Sequence, residues 1–204
     1  MDKPITHLFL DIGGVLATNG WDGALRERTA RRFGLDIEVL NDRHHLTYDT
    51  YESGRMSLAL YLDRIIFFEP RPFTRQDVIR YILEEGKPYP EMLQLVRDLR
   101  ARYGLKVAVI SNEGREIATD RIARFRLGDI ADFFIVSAYV HFRKPDVEIY
   151  RLALDIAQAQ PEHVIYIEDR RMFVEVAGGL GMNAIQHTNV ASTKAALARL
   201  GLEV

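Results

Sequence analysis

Across 204 residues the chain carries 48% hydrophobic and 27% charged side chains, enough for one well-buried core with a modest insertion. Its formal net charge of −2 offers neither nucleic acid nor an anionic membrane the basic surface they select, and no apolar run approaches the roughly 18 residues of a membrane span. Cysteine is absent, which excludes disulfides, zinc thiolates and thiol catalysis, and without a signal-peptide pattern a cytoplasmic location is expected.

The first element is HLFLD at 7–11, a short apolar run that ends on Asp11 and leads into Gly13 and Gly14. From 19 to 86 no buried strand is predicted. Helical patterns fill that segment, among them GALRERTARRFG and SLALYLDRII, and its mixed-sign stretch RERTARR (26–32) reads as a solvated helix face. The two prolines of FFEPRPFT (67–74) place a turn between helices, and GKPYP (86–90) reads as the return linker. His44 and His45 lack an acidic partner at ligand spacing and are expected to be exposed or to pack within the insertion; Trp21, Tyr48 and Tyr51 are expected first to pack between helices, with the mouth of a site as the second reading.

Beyond the linker, strand and helix alternate. Met92, Leu95, Val96 and Leu99 share one helix face, then KVAVISN (106–112) reads as a strand. A helix through Ala118, Ile122 and Phe125 leads to DFFIVS (132–137). A helix through Val147, Tyr150 and Leu154, with Pro145 as its first residue, leads to HVIYIED (163–169), and a helix through Phe173, Val176, Ala177 and Leu180 to a weaker strand NAIQ (183–186). The runs are apolar without strict alternation, the mark of strands covered on both faces of a parallel sheet. The fold class is therefore α/β, a doubly wound parallel sheet of Rossmann-like type over about 1–18 and 87–204, with a helical cap insertion over 19–86.

Polar residues collect at the strand ends: Asp11, then Ser111 and Asn112, then Lys144, then Glu168 and Asp169. In open α/β sheets the ligand crevice lies outside those ends, so these side chains are expected to converge. Carboxylates, a hydroxyl beside backbone N–H groups and one lysine suit a hard cation and a phosphoryl group, and oxygen ligands favour Mg²⁺.

Four stretches in this order, DIGGVL, VISNE, RKP and YIEDRRMFVEVAGGLGM, resemble the four motifs of the haloacid dehalogenase-like (HAD) hydrolase superfamily. The insertion between the first and second falls where that family carries its C1 cap, and the chain looks most like its glucose-1-phosphatase-type sugar-phosphate phosphatases. The resemblance implies a phosphatase acting on a small phosphorylated metabolite, with Asp11 as nucleophile forming an aspartyl-phosphate. It implies phosphoryl contacts from Ser111, Asn112 and the close-approaching Gly14, charge neutralisation by Lys144, and Mg²⁺ held by Asp11, the Gly13 carbonyl and Asp169 with Glu168 nearby. It sets no oligomeric state.

The chain departs from the family at Gly13, where most family phosphatases carry a second aspartate for general acid–base work, a contribution of roughly 10²–10⁴-fold. The substrate expected from that loss has a leaving group of low pKa, such as an anomeric sugar oxygen. Phe173 stands where related sequences often have asparagine, and Arg170 and Arg171 are unusual beside the acids. Two alternatives follow: a haloacid dehalogenase-type hydrolase, because family dehalogenases also lack the second aspartate, and a non-catalytic module that binds a phosphometabolite.

Overall fold

In the computed structural model, which describes residues 4–203, five parallel strands form one sheet in the order β3-β2-β1-β4-β5. They are β1 (His7–Leu10), β2 (Lys106–Ser111), β3 (Phe133–Val136), β4 (Val164–Glu168) and β5 (Asn183–Gln186). The central strand pairs on both sides, Leu10 opposite Val109 of β2 and Ile167 of β4.

The strands lack polar alternation because both faces are covered. Leu8 and Leu10 join Val107, Val109, Ile165 and Ile167 in one cluster, under α6 (Pro90–Tyr103) and α11 (Val190–Arg199). Phe9, Ala108, Ile110 and Tyr166 point the other way, against α9 (Val147–Ala157) and α10 (Arg171–Gly179). Side chains of this size contribute about 1.5–3 kcal/mol each when fully buried, so the two-sided core accounts for most of the driving force.

Between β1 and α6 lie five helices: α1 (Gly23–Phe33), α2 (Ile37–His45), α3 (Tyr48–Glu52), α4 (Leu58–Ile65) and α5 (Arg75–Glu85). They bury a cluster of their own around Leu25, Leu40, Tyr61, Leu62, Val78 and Ile82. The chain leaves and re-enters the sheet domain through paired backbone: Thr18 N donates to Lys87 O at 2.9 Å and Tyr89 N to Leu16 O at 2.8 Å. Polar contacts fasten the helical unit to the sheet domain at its far side. Leu58 N donates to Glu116 Oε1 at 2.9 Å, and Ser137 Oγ, at the start of the one-turn helix α8 (Ser137–Val140), donates to Glu52 O at 2.7 Å.

Two expectations need correction. Pro145 is not the first residue of α9: the Lys144–Pro145 peptide is cis, and the helix starts at Val147 with Asp146 as its cap, accepting from Glu148 N at 3.2 Å. Nor is 26–32 a uniformly solvated face. Arg26 and Thr29 are buried, because α1 packs against α2 and α5 and presents that edge to the interior. Among the described residues no helix is long and apolar enough to cross a membrane.

Candidate active site

The site forms where β1, β2 and β4 end together. Asp11 follows β1 directly, its backbone N–H donating to Ile167 O at 3.1 Å, so the neighbouring strand holds it in line. The chain then turns tightly: Leu16 N and Ala17 N donate to Ile12 O at 3.0 and 2.9 Å, and Gly14 N donates to Ala17 O at 2.8 Å.

Lys144 is the hub. Its ammonium, 1% exposed, lies 3.0 Å from Asp11 Oδ1 and 2.5 Å from Glu168 Oε2, and it donates to Tyr166 Oη at 3.3 Å. Tyr166 Oη donates in turn to Glu168 Oε2 at 2.6 Å, while Glu168 Oε1 accepts from Arg170 N at 3.2 Å. The backbone of Lys144 is fixed as well: the Asn112 side chain donates to Lys144 O and accepts from Lys144 N, both at 2.8 Å. The Phe173 ring lies 5.2 Å from the ammonium, where its π-face favours a cation.

Electrostatics follow from burial and charge count. Burial alone would lower the Lys144 pKa, but Asp11 and Glu168 outweigh it and the group is held above its ordinary value. The Asp11 carboxyl is pushed up, first by burial and next by Glu168, against the opposing pull of Lys144 and Ser111. Oxygens of Asp11, Glu168 and Asp169 lie within 4.8 Å of one another, and Asp169 Oδ1 is buried with no hydrogen-bond partner. Three carboxylates around one ammonium leave negative charge unmatched, which is costly away from water. That donor set, all oxygen, with Asp169 Oδ1 orphaned and Asp11 Oδ1 met only by the Lys144 ion pair, fits a hard divalent cation.

A cavity of about 290 Å³ opens over these groups, near the lower end for ligand sites and sized for a small molecule. Asp11, Gly13, Ser111, Asn112 and Lys144 line it, and Glu168, Asp169 and Gly14 do not. Gly14, expected among the phosphoryl contacts, has a different place. Its φ of +74° favours glycine, and a Cβ there would overlap the Asp169 carboxylate. Gly14→Ala is therefore expected to displace Asp169 and destabilise the fold by about 1–2 kcal/mol from the left-handed backbone alone, read as a lower melting temperature.

The helical unit supplies the far wall, with Trp21, Arg26, His44, His45, Tyr48 and Tyr51 all on the lining. Glu113 also lines it, a residue the sequence reading passed over. It is buried, ion-paired to Arg121, and its carboxyl is pushed up to about 7, mainly by burial and against the effect of Arg121. The only sequence signal was its place directly after Ser111 and Asn112.

An all-parallel α/β sheet with acids, a hydroxyl and a lysine converging at its strand ends defines a class of hydrolase-like enzymes built on one scaffold. Residues 5–177 match the haloacid dehalogenase-like hydrolase family, and the chain belongs to it. Two curated relatives share 30% identity with it. One is a phosphorylated carbohydrates phosphatase from Thermotoga maritima, matched over 54% of this chain and 50% of its own. The other is bifunctional epoxide hydrolase 2 from Sus scrofa, matched over 57% of this chain and 21% of its own. The chain thus spans half or less of the curated relatives it matches. Among solved structures, a HAD family enzyme from Bacteroides thetaiotaomicron in complex with magnesium and inorganic phosphate superposes with a TM-score of 0.73. It is 21% identical and covers 89% of this chain and 93% of its own, a likeness that shows a shared fold.

Proposed function

We propose that this HAD-like hydrolase is a Mg²⁺-dependent phosphatase that hydrolyses a small phosphomonoester, a sugar phosphate by preference, through an aspartyl-phosphate on Asp11. The observation that carries the reading is the unmatched negative charge around Lys144, with Asp169 Oδ1 left without a partner. The phosphatase relative from Thermotoga maritima supports it, as does the magnesium and phosphate complex of the Bacteroides enzyme. Residues 1–18 and 87–204 serve as the catalytic core and 19–86 as a cap that closes the cavity and excludes water.

Asp11, Asp169 and the Gly13 carbonyl would hold Mg²⁺ with Glu168 beside them, and the bound ion supplies positive charge against the phosphoryl oxygens. One Asp11 oxygen attacks phosphorus. The bond from phosphorus to the alcohol oxygen breaks, and that oxygen leaves with its electron pair and takes a proton from water. A second water then attacks the same phosphorus, freeing inorganic phosphate and restoring the carboxylate. Lys144 lessens the repulsion between the Asp11 anion and the phosphate, while Ser111 Oγ and the Asn112 backbone N–H hold phosphoryl oxygens. Since Gly13 offers no acid, substrates whose leaving oxygen needs little protonation are favoured.

Gly13 also suits a dehalogenase, but the Glu168–Asp169 pair without a divalent cation would repel a haloacid carboxylate as well as the Asp11 nucleophile. Phosphate and halide release are measured side by side over sugar phosphates, nucleotides, acyl phosphates and haloacids, with Mg²⁺ or with chelator. Chelator-sensitive phosphate release, faster from sugar 1-phosphates than from alkyl phosphates, is the expected outcome; chelator-resistant halide release would overturn the reading.

A further inference from the structure

Most charges bordering the cavity are matched. Lys144 has Asp11 and Glu168, Arg143 has Glu52 at 2.5 Å, and Glu113 has Arg121. Asp22 is engaged at the start of α1, where it accepts from Leu25 N at 2.8 Å. Two lining arginines, Arg170 and Arg26, form no ion pair among the described residues; Arg170 is exposed to water, whereas Arg26, on the helical unit's side of the cavity, is only 9% exposed. Neutral acceptors hold it in place, Nε donating to Asn41 Oδ1 at 2.8 Å and Nη1 to Trp21 O at 2.9 Å, which leaves Nη2 without a hydrogen bond. A guanidinium withdrawn from water without an anion is costly, and an anionic ligand would offset that cost.

His44 sits beside it with its tautomer fixed. Trp21 Nε1 can only donate, and it donates to Tyr61 Oη at 2.8 Å. Tyr61 is fully buried and its Oη lies 2.6 Å from His44 Nδ1, so the arrangement that satisfies every group has the tyrosine proton on that bond. The imidazole proton is then on Nε2, and His44 borders the cavity as a donor. Burial first, and then Arg26, hold the ring pKa at about 3, which keeps it neutral.

We propose that Arg26 and His44 form a subsite for a second acidic group on the substrate, so that the favoured phosphoester carries a carboxylate or a second phosphate on its alcohol portion. The proposal rests on the phosphatase reading and narrows it. An unpaired cation beside a neutral donor recognises an anionic oxygen group, and a guanidinium can grip it through two parallel hydrogen bonds.

Matched substrates test this. 3-Phosphoglycerate against glycerol 3-phosphate examines the carboxylate, and glucose 1,6-bisphosphate against glucose 1-phosphate the second phosphate. In the wild-type chain kcat/KM is expected to favour the acid-bearing member of at least one pair by about tenfold or more. Arg26→Gln should lower that ratio by about tenfold, chiefly through KM, and Arg26→Lys should retain part of it. The ratio is internal to each preparation, so a partly unfolded variant does not change it. A wild-type ratio at or below one in both pairs, or a ratio unaltered in Arg26→Gln, overturns the subsite. If the wild-type chain releases no phosphate from any ester, the phosphatase reading fails by itself, and calorimetric binding of the same pairs then judges the subsite. An acid preference lost in Arg26→Gln upholds it, and equal affinities within each pair overturn it.

Discussion

Asp11→Asn is expected to reduce phosphate release by on the order of 10³-fold or more while the protein melts no lower than wild type. The two parts have different origins. Activity falls because an amide oxygen is a poor nucleophile toward phosphorus, and Glu168, the acid that shares Lys144 with Asp11, is fully buried with its oxygens taken by Lys144, Tyr166 and Arg170 N. Stability holds because the Asp11 charge is already disfavoured by burial and by Glu168, so neutralising it relieves repulsion. Lys144 keeps Glu168 as a partner in the variant. Assays of phosphate release and thermal denaturation on one preparation check both parts. Undiminished turnover would assign the nucleophile elsewhere, whereas a large loss of stability would make Asp11 a structural residue.

The same physics explains which features were readable from the chain and which were not. Leu8, Phe9 and Leu10 announce a strand because each is buried, on alternate faces of a covered sheet, and a local apolar run is enough to reveal that. Asp11, Ser111 and Asp169 were readable together because each falls at or just beyond a strand end, where a parallel sheet gathers its polar groups, whereas Lys144 lies beyond α8 and is brought in by the loop that follows that helix. Arg26 was not readable. In RERTARR it looks like one more solvent-facing charge, and only the packing of α1 against α2 and α5 withdraws it from water. Tyr166 reads as one apolar residue in a strand, yet its hydroxyl bonds to both Lys144 and Glu168, a role set by the register of β4 beside β1. Pro145 misled because a proline before a helical pattern usually belongs to its first turn, whereas here it shapes the loop that carries Lys144.

Lys144→Gln is expected to be the most destabilising single change at the site. Removing one partner of a buried ion pair leaves uncompensated charge and costs about 3–5 kcal/mol, or roughly 10 °C of melting temperature in a chain of this size. The loss should depend on pH in a direction that identifies its cause. Lys144 is one of the groups that draw the Asp11 pKa down against burial and Glu168, so without it that pKa, already raised, rises further. A carboxyl with a folded pKa above its unfolded one binds more protons when folded, and the penalty on the fold grows as pH rises from the unfolded value through the folded one. The gap in melting temperature between wild type and Lys144→Gln should therefore narrow as the pH is lowered toward the ordinary carboxylate range. Millimolar Mg²⁺ should narrow it too, because a divalent cation bound among Asp11, Glu168 and Asp169 replaces part of the missing charge. A gap constant in pH and blind to Mg²⁺ would mean that Lys144 acts through its packing against Tyr166 and Phe173, and the electrostatic account of the site would fall with it.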